Sequence, residues 1–499
     1  MNTFMNQLNN DNNYKYTENG ALAHRSTNNP VYDMFAFGAA YRQRSDEDCI
    51  LLFKNALEYD ATLALKCLFY IRDCRGGQGE RRFFRVCMKW MAENYPNRIA
   101  DLLMYIPEYG RYDDWFELFE TKSENNVMEL IKNQLMVDMT SEKNGISLLA
   151  KWLPSENASS RRTIERAKRV RKYLGMTARQ YRQMLSKLRQ KINVLERLMS
   201  ANEWDKIEFD KIPSKAGLIY KNAFARRDII AKKYETFAKD KTTKVNATTL
   251  YPYEVVDKAQ NVWNQSIDNV DRLMINKYWE NLPDYLNGAS LSMMCVVDTS
   301  GSMTWGYGSQ APINIAIGLG MYCAERLNGP FKDHYISFAS RPQLIKVEGV
   351  DFVDKAKRIY RTNLCDNTNL EGVFDLLLKT AKKPGVKKED IPKTIVVISD
   401  MEIDEATSSW GDRYKDWTKE KTETEMEMIR KKWAAAGYEL PKLIYWNVNA
   451  RHDTILDAGP NVSFVSGASP TIFKQIITGK SGWDLCLEAI MSDRYKVIE

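Results

Sequence analysis

Histidine is nearly absent from this chain: His24, His334 and His452 are the only three in 499 residues. That scarcity excludes a histidine-rich zinc centre and leaves few partners for a Ser-His-Asp triad, which no Gly-x-Ser-x-Gly elbow supports. The eight cysteines (Cys49, Cys67, Cys74, Cys87, Cys295, Cys323, Cys365 and Cys486) form no Cys-x-x-Cys pair. Most fall inside apolar helical or strand patterns and read as reduced, buried thiols, the usage expected of a cytoplasmic protein. Long apolar runs are missing too, and the polar start, Met1 to Asn13, is no secretory signal, so no membrane partner is expected. A true phosphate-binding loop is also lacking. Gly479-Lys480-Ser481 imitates the tail of one, but Lys474 stands where the motif needs glycine and no strand leads in. What remains is an ordinary composition, 44% apolar and 27% charged, with room for two or three domains.

The most informative stretch is Val296-Val297-Asp298-Thr299-Ser300-Gly301-Ser302-Met303. An apolar run, Leu291 to Val297, ends on an aspartate and then offers two hydroxyls two residues apart. A buried parallel strand would deliver those oxygens to the carboxyl edge of a sheet, where open α/β folds place their ligands. Two further elements follow in order. Thr368 sits in Asp366-Asn367-Thr368-Asn369-Leu370, ahead of a helical run, and Asp400 ends the apolar strand Thr394–Ser399. Taken singly, each has a plain alternative: Thr368 as a helix N-cap, Ser300 and Ser302 as loop hydroxyls, the two aspartates as strand ends.

Strand and helix patterns alternate around these elements. Leu291–Val297, Tyr335–Phe338, Gln343–Val347, Thr394–Ser399, Lys442–Val448 and Ser463–Ser466 read as six strands, with one of the second and third as an antiparallel edge. Ala311–Leu327, Phe352–Arg361, Leu370–Ala381, roughly Arg413–Ala436 and Ile472–Ile477 carry helical periods between them. Alternation of this kind implies a mostly parallel sheet covered on both faces.

The first half differs. From Asp46 to about Tyr234 the period is helical almost throughout: Asp48–Leu57, Thr62–Arg72, Arg81–Asn94, Asp113–Phe119, Val127–Met139 and Ala178–Met199. Helices this short cannot bury their stripes alone and are expected to stack as antiparallel pairs in a HEAT-like solenoid. The segment Tyr251–Leu286 carries an apolar face of Trp263, Leu273, Ile275 and Trp279.

Charge adds a separate argument. Between Arg161 and Arg197 stand 13 Lys and Arg against two acids, Glu165 and Glu196, whereas the whole chain is only +7. Arg161, Arg162, Arg166, Lys168, Arg169, Arg171, Lys172, Arg179 and Arg182 are candidates for contact with RNA phosphates, with Tyr173 and Tyr181 available for stacking. The plain alternative is a solvated helix. Because few local acids balance the run, nucleic-acid contact is the favoured expectation. Arg75, Arg81, Arg82 and Arg85 form a weaker second group, in which Arg75-Gly76-Gly77-Gln78-Gly79 could equally be a corner between helices.

Asp-x-Ser-x-Ser, the later threonine and the later aspartate together resemble the metal-ion-dependent adhesion site of von Willebrand factor A domains. That resemblance implies that Ser300, Ser302 and Thr368 bind magnesium (or manganese or calcium) directly, with Asp298 and Asp400 acting through waters. An ion held without a direct protein carboxylate stays electrophilic and can accept an Asp or Glu from a protein partner.

A helical region ahead of such a domain resembles Ro-type ribonucleoproteins, the TROVE family, and in particular a TROVE-like group of bacteria, phages and plants. The motifs carrying the likeness are Thr17–Ala21, Ser26–Pro30, Arg75–Arg82, Ile212–Ala216 and Ser399–Asp404. It implies a multidomain α + α/β protein: an arm, 1–45, packed on the helical domain; a helical domain, 46–286, able to close into a ring; and a doubly wound von Willebrand A domain, 287–499. The expected function is non-enzymatic RNA binding by a monomer with a magnesium-dependent docking site. A metal-dependent adaptor without RNA is the alternative. A nuclease using Asp400, Glu402, Asp404 and Glu405 is disfavoured, since alternate residues at a strand end point to opposite sides.

Overall fold

The computed structural model describes residues 13–17, 22–141, 146–192, 195–304, 310–361, 368–402, 424–457, 459 and 461–498. After a short hairpin of β1 (Tyr14–Tyr16) and β2 (Leu22–His24) the chain is helical up to residue 280. Asn29 opens α1 (Pro30–Phe37), its side chain accepting from the amides of Val31 and Tyr32. Ser45 and Asp60 cap α2 (Asp46–Tyr59) and α3 (Ala61–Arg72) in the same way. The other long helices are α4 (Arg82–Asn94), α5 (Glu124–Thr140), α6 (Arg161–Tyr173), α7 (Ala178–Ile192), α8 (Ser214–Arg226), α9 (Asp228–Lys239), α10 (Pro252–Gln260) and α11 (Val270–Glu280). Consecutive helices α2, α3 and α4 pack on one another, as do α8 and α9.

One expectation changes here. Asp113–Phe119 is a 3-10 turn, Tyr112–Leu118, because Asp114 closes it tightly by accepting from the Arg111 amide. Of the helix expected over Ala178–Met199, residues 178–192 form α7 and residues 195–200 are helical, with 193 and 194 outside the described residues.

The second half is a mixed six-stranded sheet in the order β5-β4-β3-β6-β7-β8. Its strands are β3 (Met293–Asp298), β4 (His334–Phe338), β5 (Leu344–Lys346), β6 (Thr394–Ser399), β7 (Lys442–Asn447) and β8 (Val462–Ser466). All pairs are parallel except β4–β5, so β5 is the antiparallel edge. The helices are α12 (Pro312–Arg326), α13 (Phe352–Arg361), α14 (Leu370–Ala381), α15 (Glu425–Ala435) and α16 (Gly482–Ile490). Of the charged helix expected over Arg413–Ala436, residues 413–423 lie outside the described residues. Strands β3 and β6 are buried along their length apart from Thr394, which is why they read as unbroken apolar runs. Gly320 of α12 lets the helix approach the sheet: a Cβ there would stand 2.4 Å from Val297 Cγ2.

The two halves are joined over a wide surface. Helix α1 packs on α2 and α3 and also lies against β8. There the Phe464 amide donates to Tyr32 Oη at 2.8 Å and the Ser466 hydroxyl to the Phe35 carbonyl at 2.8 Å, so the arm covers a sheet edge. Tyr495, near the C-terminus, donates to buried Asp73 at 2.9 Å, and Lys66 reaches the Tyr495 carbonyl at 2.8 Å. The segment Tyr251–Leu286 packs on α12 and α13. Trp279 stacks on Phe352 with ring centroids 4.2 Å apart, and Arg272 grips Asp351 at 2.7 and 2.8 Å. Both ends of the helical half therefore rest on the α/β half.

Candidate functional site

Strand order reverses between β3 and β6, the topological switch point of the sheet. Their parallel register sets Val297 beside Ile398 and so brings Asp298 and Asp400 to one carboxyl edge. Asp298 is fully buried; its Oδ1 accepts from the Ser300 amide at 2.8 Å and its Oδ2 from the Ser399 hydroxyl at 2.6 Å. The Ser300 and Ser302 hydroxyls lie 3.0 Å apart. Asp400 is buried as well, and Met401 after it adopts a left-handed backbone (φ 65°) that turns the chain away from the strand. Thr368 is buried just ahead of α14. It is not the cap of that helix: Asn369 is, accepting from the Gly372 amide at 2.7 Å while donating to the Ser340 carbonyl beyond the end of β4. Thr368 is thus buried without the capping role that was its plain alternative. Asp366 and Asn367 lie outside the described residues, as do Asp404 and Glu405.

Electrostatics single the site out. Burial first, and then the charge of Asp400, push the Asp298 carboxyl up to about 7, although Ser399 and Ser300 hydrogen bonds pull the other way. Burial also raises Asp400, against the opposing pull of Arg451 and the Ser302 hydroxyl. Asp400 Oδ2 accepts no hydrogen bond among the described residues, and the Arg451 guanidinium stands 3.4 Å from it. Two buried carboxylates beside a pair of hydroxyls make a hard oxygen set short of positive charge. That chemistry fits magnesium, calcium or manganese better than zinc or copper. Among the described residues no three His, Cys, Asp or Glu side chains converge as a direct ligand cluster, so hydroxyls would have to complete any such site. Ser399 and Arg451 were missed from sequence. The available signal for Arg451 was the alternation Asn447-Val448-Asn449-Ala450-Arg451, which carries the end of β7 past this same edge.

For the basic run the structure corrects the charge argument. Few acids stand near it in sequence, but α6 meets acids delivered by the preceding turn and α5. Arg162 and Arg166 pair with Glu117 at 2.9 Å each, Arg169 with Glu120 at 2.8 Å and Glu124 at 3.2 Å, and Arg171 with Glu156 at 2.6 Å. Arg161 pairs with Glu165 within the helix at 2.9 Å. Tyr181 is buried, its hydroxyl on the Pro154 carbonyl, and so is unavailable for stacking. Lys168, Lys172, Arg179 and Arg182 are exposed and have no ion pair among the described residues.

A second basic surface is internal. A cavity of about 1220 Å³ in the helical half is lined by nine Lys and Arg side chains against four glutamates, with Tyr112, Trp115, Trp152, Tyr220, Tyr251 and Tyr253 among them. Arg111 lies over the Trp152 ring at 4.2 Å. Arg81 makes no ion pair among the described residues; burial and then the charges of Arg111 and Arg85 lower its pKa. The glycine-rich turn beside it is a helix corner. Gly79 has φ 65° and a Cβ there would collide with Tyr251 Oη, while the Gly77 carbonyl accepts from Thr471 of the other half at 2.8 Å. The segment Gly479–Ser481 is a turn between two helices.

Residues 292–491 match a domain of unknown function, DUF7788, and residues 17–108 and 156–290 match another, DUF2828. An uncharacterized protein of Acanthamoeba polyphaga mimivirus is 28% identical over 511 aligned positions, covering 94% of this chain and 85% of the relative. Among solved structures, that of the Deinococcus radiodurans Ro (Rsr) protein aligns with a TM-score of 0.45 and 13% identity, over 91% of this chain and all of that one. Among the described residues no helix is long and apolar enough to cross a membrane.

Proposed function

We propose that this chain is a non-enzymatic binding protein. Its α/β half, read as a von Willebrand A-like domain, holds a divalent cation, magnesium by preference, that captures an Asp or Glu of a protein partner. The observation carrying this reading is the buried Asp298–Asp400 pair beside the Ser300 and Ser302 hydroxyls. Thr368 would join the two serines in holding the ion, and the aspartates would supply the negative charge around it. Calorimetric titration of the full chain with magnesium chloride tests the reading. Wild type should bind and Asp298→Ala or Thr368→Ala should not, with circular dichroism unchanged; equal affinity in Asp298→Ala would sink the site.

A second reading, RNA binding by the helical half, is supported by the cavity. Its excess of cations, its aromatic rings and the unneutralised Arg81 suit a phosphate backbone with unstacked bases. The exposed Lys168, Lys172, Arg179 and Arg182 would extend that surface outward. Anisotropy with a labelled single-stranded RNA at two salt concentrations tests it. Reversal of Arg81 and Lys151 to Glu, or of the four exterior residues, should weaken binding and reduce the salt slope by roughly one per lost contact. Should neither set change binding, both basic surfaces drop out of the RNA reading and the adaptor reading without RNA stands alone.

A further inference from the structure

Four guanidiniums gather at one wall of the cavity, and two carboxylates stand among them. Arg72 ends α3, Arg81 and Arg85 lie at the start of α4, and Arg111 precedes the 3-10 turn that carries Asp113 and Asp114. Arg72, Arg81 and Arg111 line the cavity. Both acids are fully engaged. Asp114 accepts from Arg72 at 2.7 Å, from Arg85 at 2.6 Å and from the Arg111 amide at 3.0 Å. Asp113 accepts from Arg111 at 2.9 and 2.7 Å and from Arg85 at 2.8 Å. Neighbouring acids are taken too. Glu117 is held by Arg162 and Arg166 at 2.9 Å each, and Glu80 by Arg42 at 3.1 Å and the Arg82 amide at 2.8 Å. Arg81 is left with no ion pair and no side-chain hydrogen bond among the described residues. Burial and then the charges of Arg111 and Arg85 hold it below its ordinary pKa, as a cation among cations should be.

We propose that this wall is a phosphate site, centred on Arg81, which takes a phosphomonoester in preference to the diester linkages inside a strand. Near neutral pH a monoester carries about two negative charges and a diester one, so the monoester offsets the surplus of four arginines over two aspartates. A guanidinium can present two parallel N–H groups to two phosphate oxygens. Arg81 has its whole fork to offer, whereas Arg111 has committed Nε and Nη2 to Asp113 and supplies charge alone. The inference rests on the cavity being a binding site, as in the second reading above, but not on its ligand being a polymer. The monoester is a free small molecule or the phosphorylated end of an RNA.

The test is calorimetry of the full chain at about pH 7.5 and constant ionic strength, with adenosine 5′-monophosphate and with adenosine 3′,5′-cyclic monophosphate, whose phosphate is a diester. The monoester should bind on the order of tenfold more tightly. Arg81→Gln should erase that difference, and Arg179→Gln, outside the cavity, should keep it. In parallel, anisotropy compares one labelled single-stranded RNA with a hydroxyl or a phosphate at its unlabelled end. A preference for the phosphorylated RNA that Arg81→Gln removes supports the site and assigns it to RNA ends. A preference confined to the free nucleotide supports it and assigns it to small phosphomonoesters. Where no RNA binds but that preference stands, the RNA reading falls and the phosphate site survives. Equal or absent binding of the two nucleotides, with no effect of the RNA's end phosphate, overturns the proposal even while RNA itself binds. A monoester preference that persists in Arg81→Gln overturns the placing at Arg81. Should Arg81→Gln fail to fold by circular dichroism, the wild-type comparison of the two nucleotides still decides the ligand class.

Discussion

Helix α6 carries seven basic residues and the β3–β6 edge two acids, yet the larger charge is the better compensated. Five of the α6 arginines reach carboxylates, four of them on other segments. At the sheet edge the reverse holds. Parallel pairing forces two carboxylates together under the sheet's own cover, with the Arg451 guanidinium 3.4 Å from Asp400. Local charge in the sequence is thus a poor guide to local charge in space. A surface helix can borrow counter-ions from its neighbours, whereas groups fixed on adjacent buried strands cannot move apart.

The largest effect is expected where the helical half buries a compensated pair. Arg72 and Asp114 meet at 2.7 Å with side chains 3% and 0% exposed, and Arg85 shares the same aspartate at 2.6 Å. Asp114→Ala strands these arginines and should cost about 3–5 kcal/mol in urea unfolding; a loss under 1 kcal/mol would mean the charges find other partners.

At the sheet edge the sign reverses. The Asp298 carboxyl lies near 7 against an ordinary 3.8, so the folded, chelator-treated chain holds a proton between these values that the unfolded chain has released. This carboxyl's contribution to stability should be fullest below about pH 4 and fall as pH rises towards 7, by at most about 1.4 kcal/mol per unit. Asp298→Asn should flatten that slope, and saturating magnesium should do the same to wild type. A slope that survives in Asp298→Asn would assign it to other groups.

A smaller effect sharpens the comparison on α6. Glu117 is half-buried and held below its usual range despite that burial, by hydrogen bonding and charge from Arg166 and then the charges of Arg162 and Arg85. Glu117→Gln uncovers those arginines and should strengthen RNA binding a few-fold while steepening its salt dependence by roughly one contact. No change in the salt slope would remove α6 from the interface. Arg161→Ala, whose ion pair lies in open solvent at 93% side-chain exposure, should leave melting temperature and RNA affinity where they were.

Much of the architecture was legible because buried parallel strands and amphipathic helices each leave a period in the chain. Phe352–Arg361, Leu370–Ala381 and Thr394–Ser399 have the bounds that their patterns predict. The place of Asp298 and Asp400 at one sheet edge was legible because that edge lies where an apolar strand turns polar. Elements with too few residues for a period were not: the β1–β2 hairpin, and the 3-10 turn at Tyr112–Leu118 set by a single aspartate. Thr368 could be read as a cap until the backbone showed Asn369 doing that work.

The sequence by itself determined the helical and α/β halves, the polar strand ends at Asp298 and Asp400 and the helix corner at Gly77–Gly79, because each depends on residues close together in the chain. Only the tertiary structure decided which charges are neutralised, that α1 covers β8 and that Arg451 faces Asp400. Those outcomes depend on Coulomb forces and packing between groups tens to hundreds of residues apart. No local pattern encodes which acid a guanidinium will find, since that is set by where the two backbones come to rest.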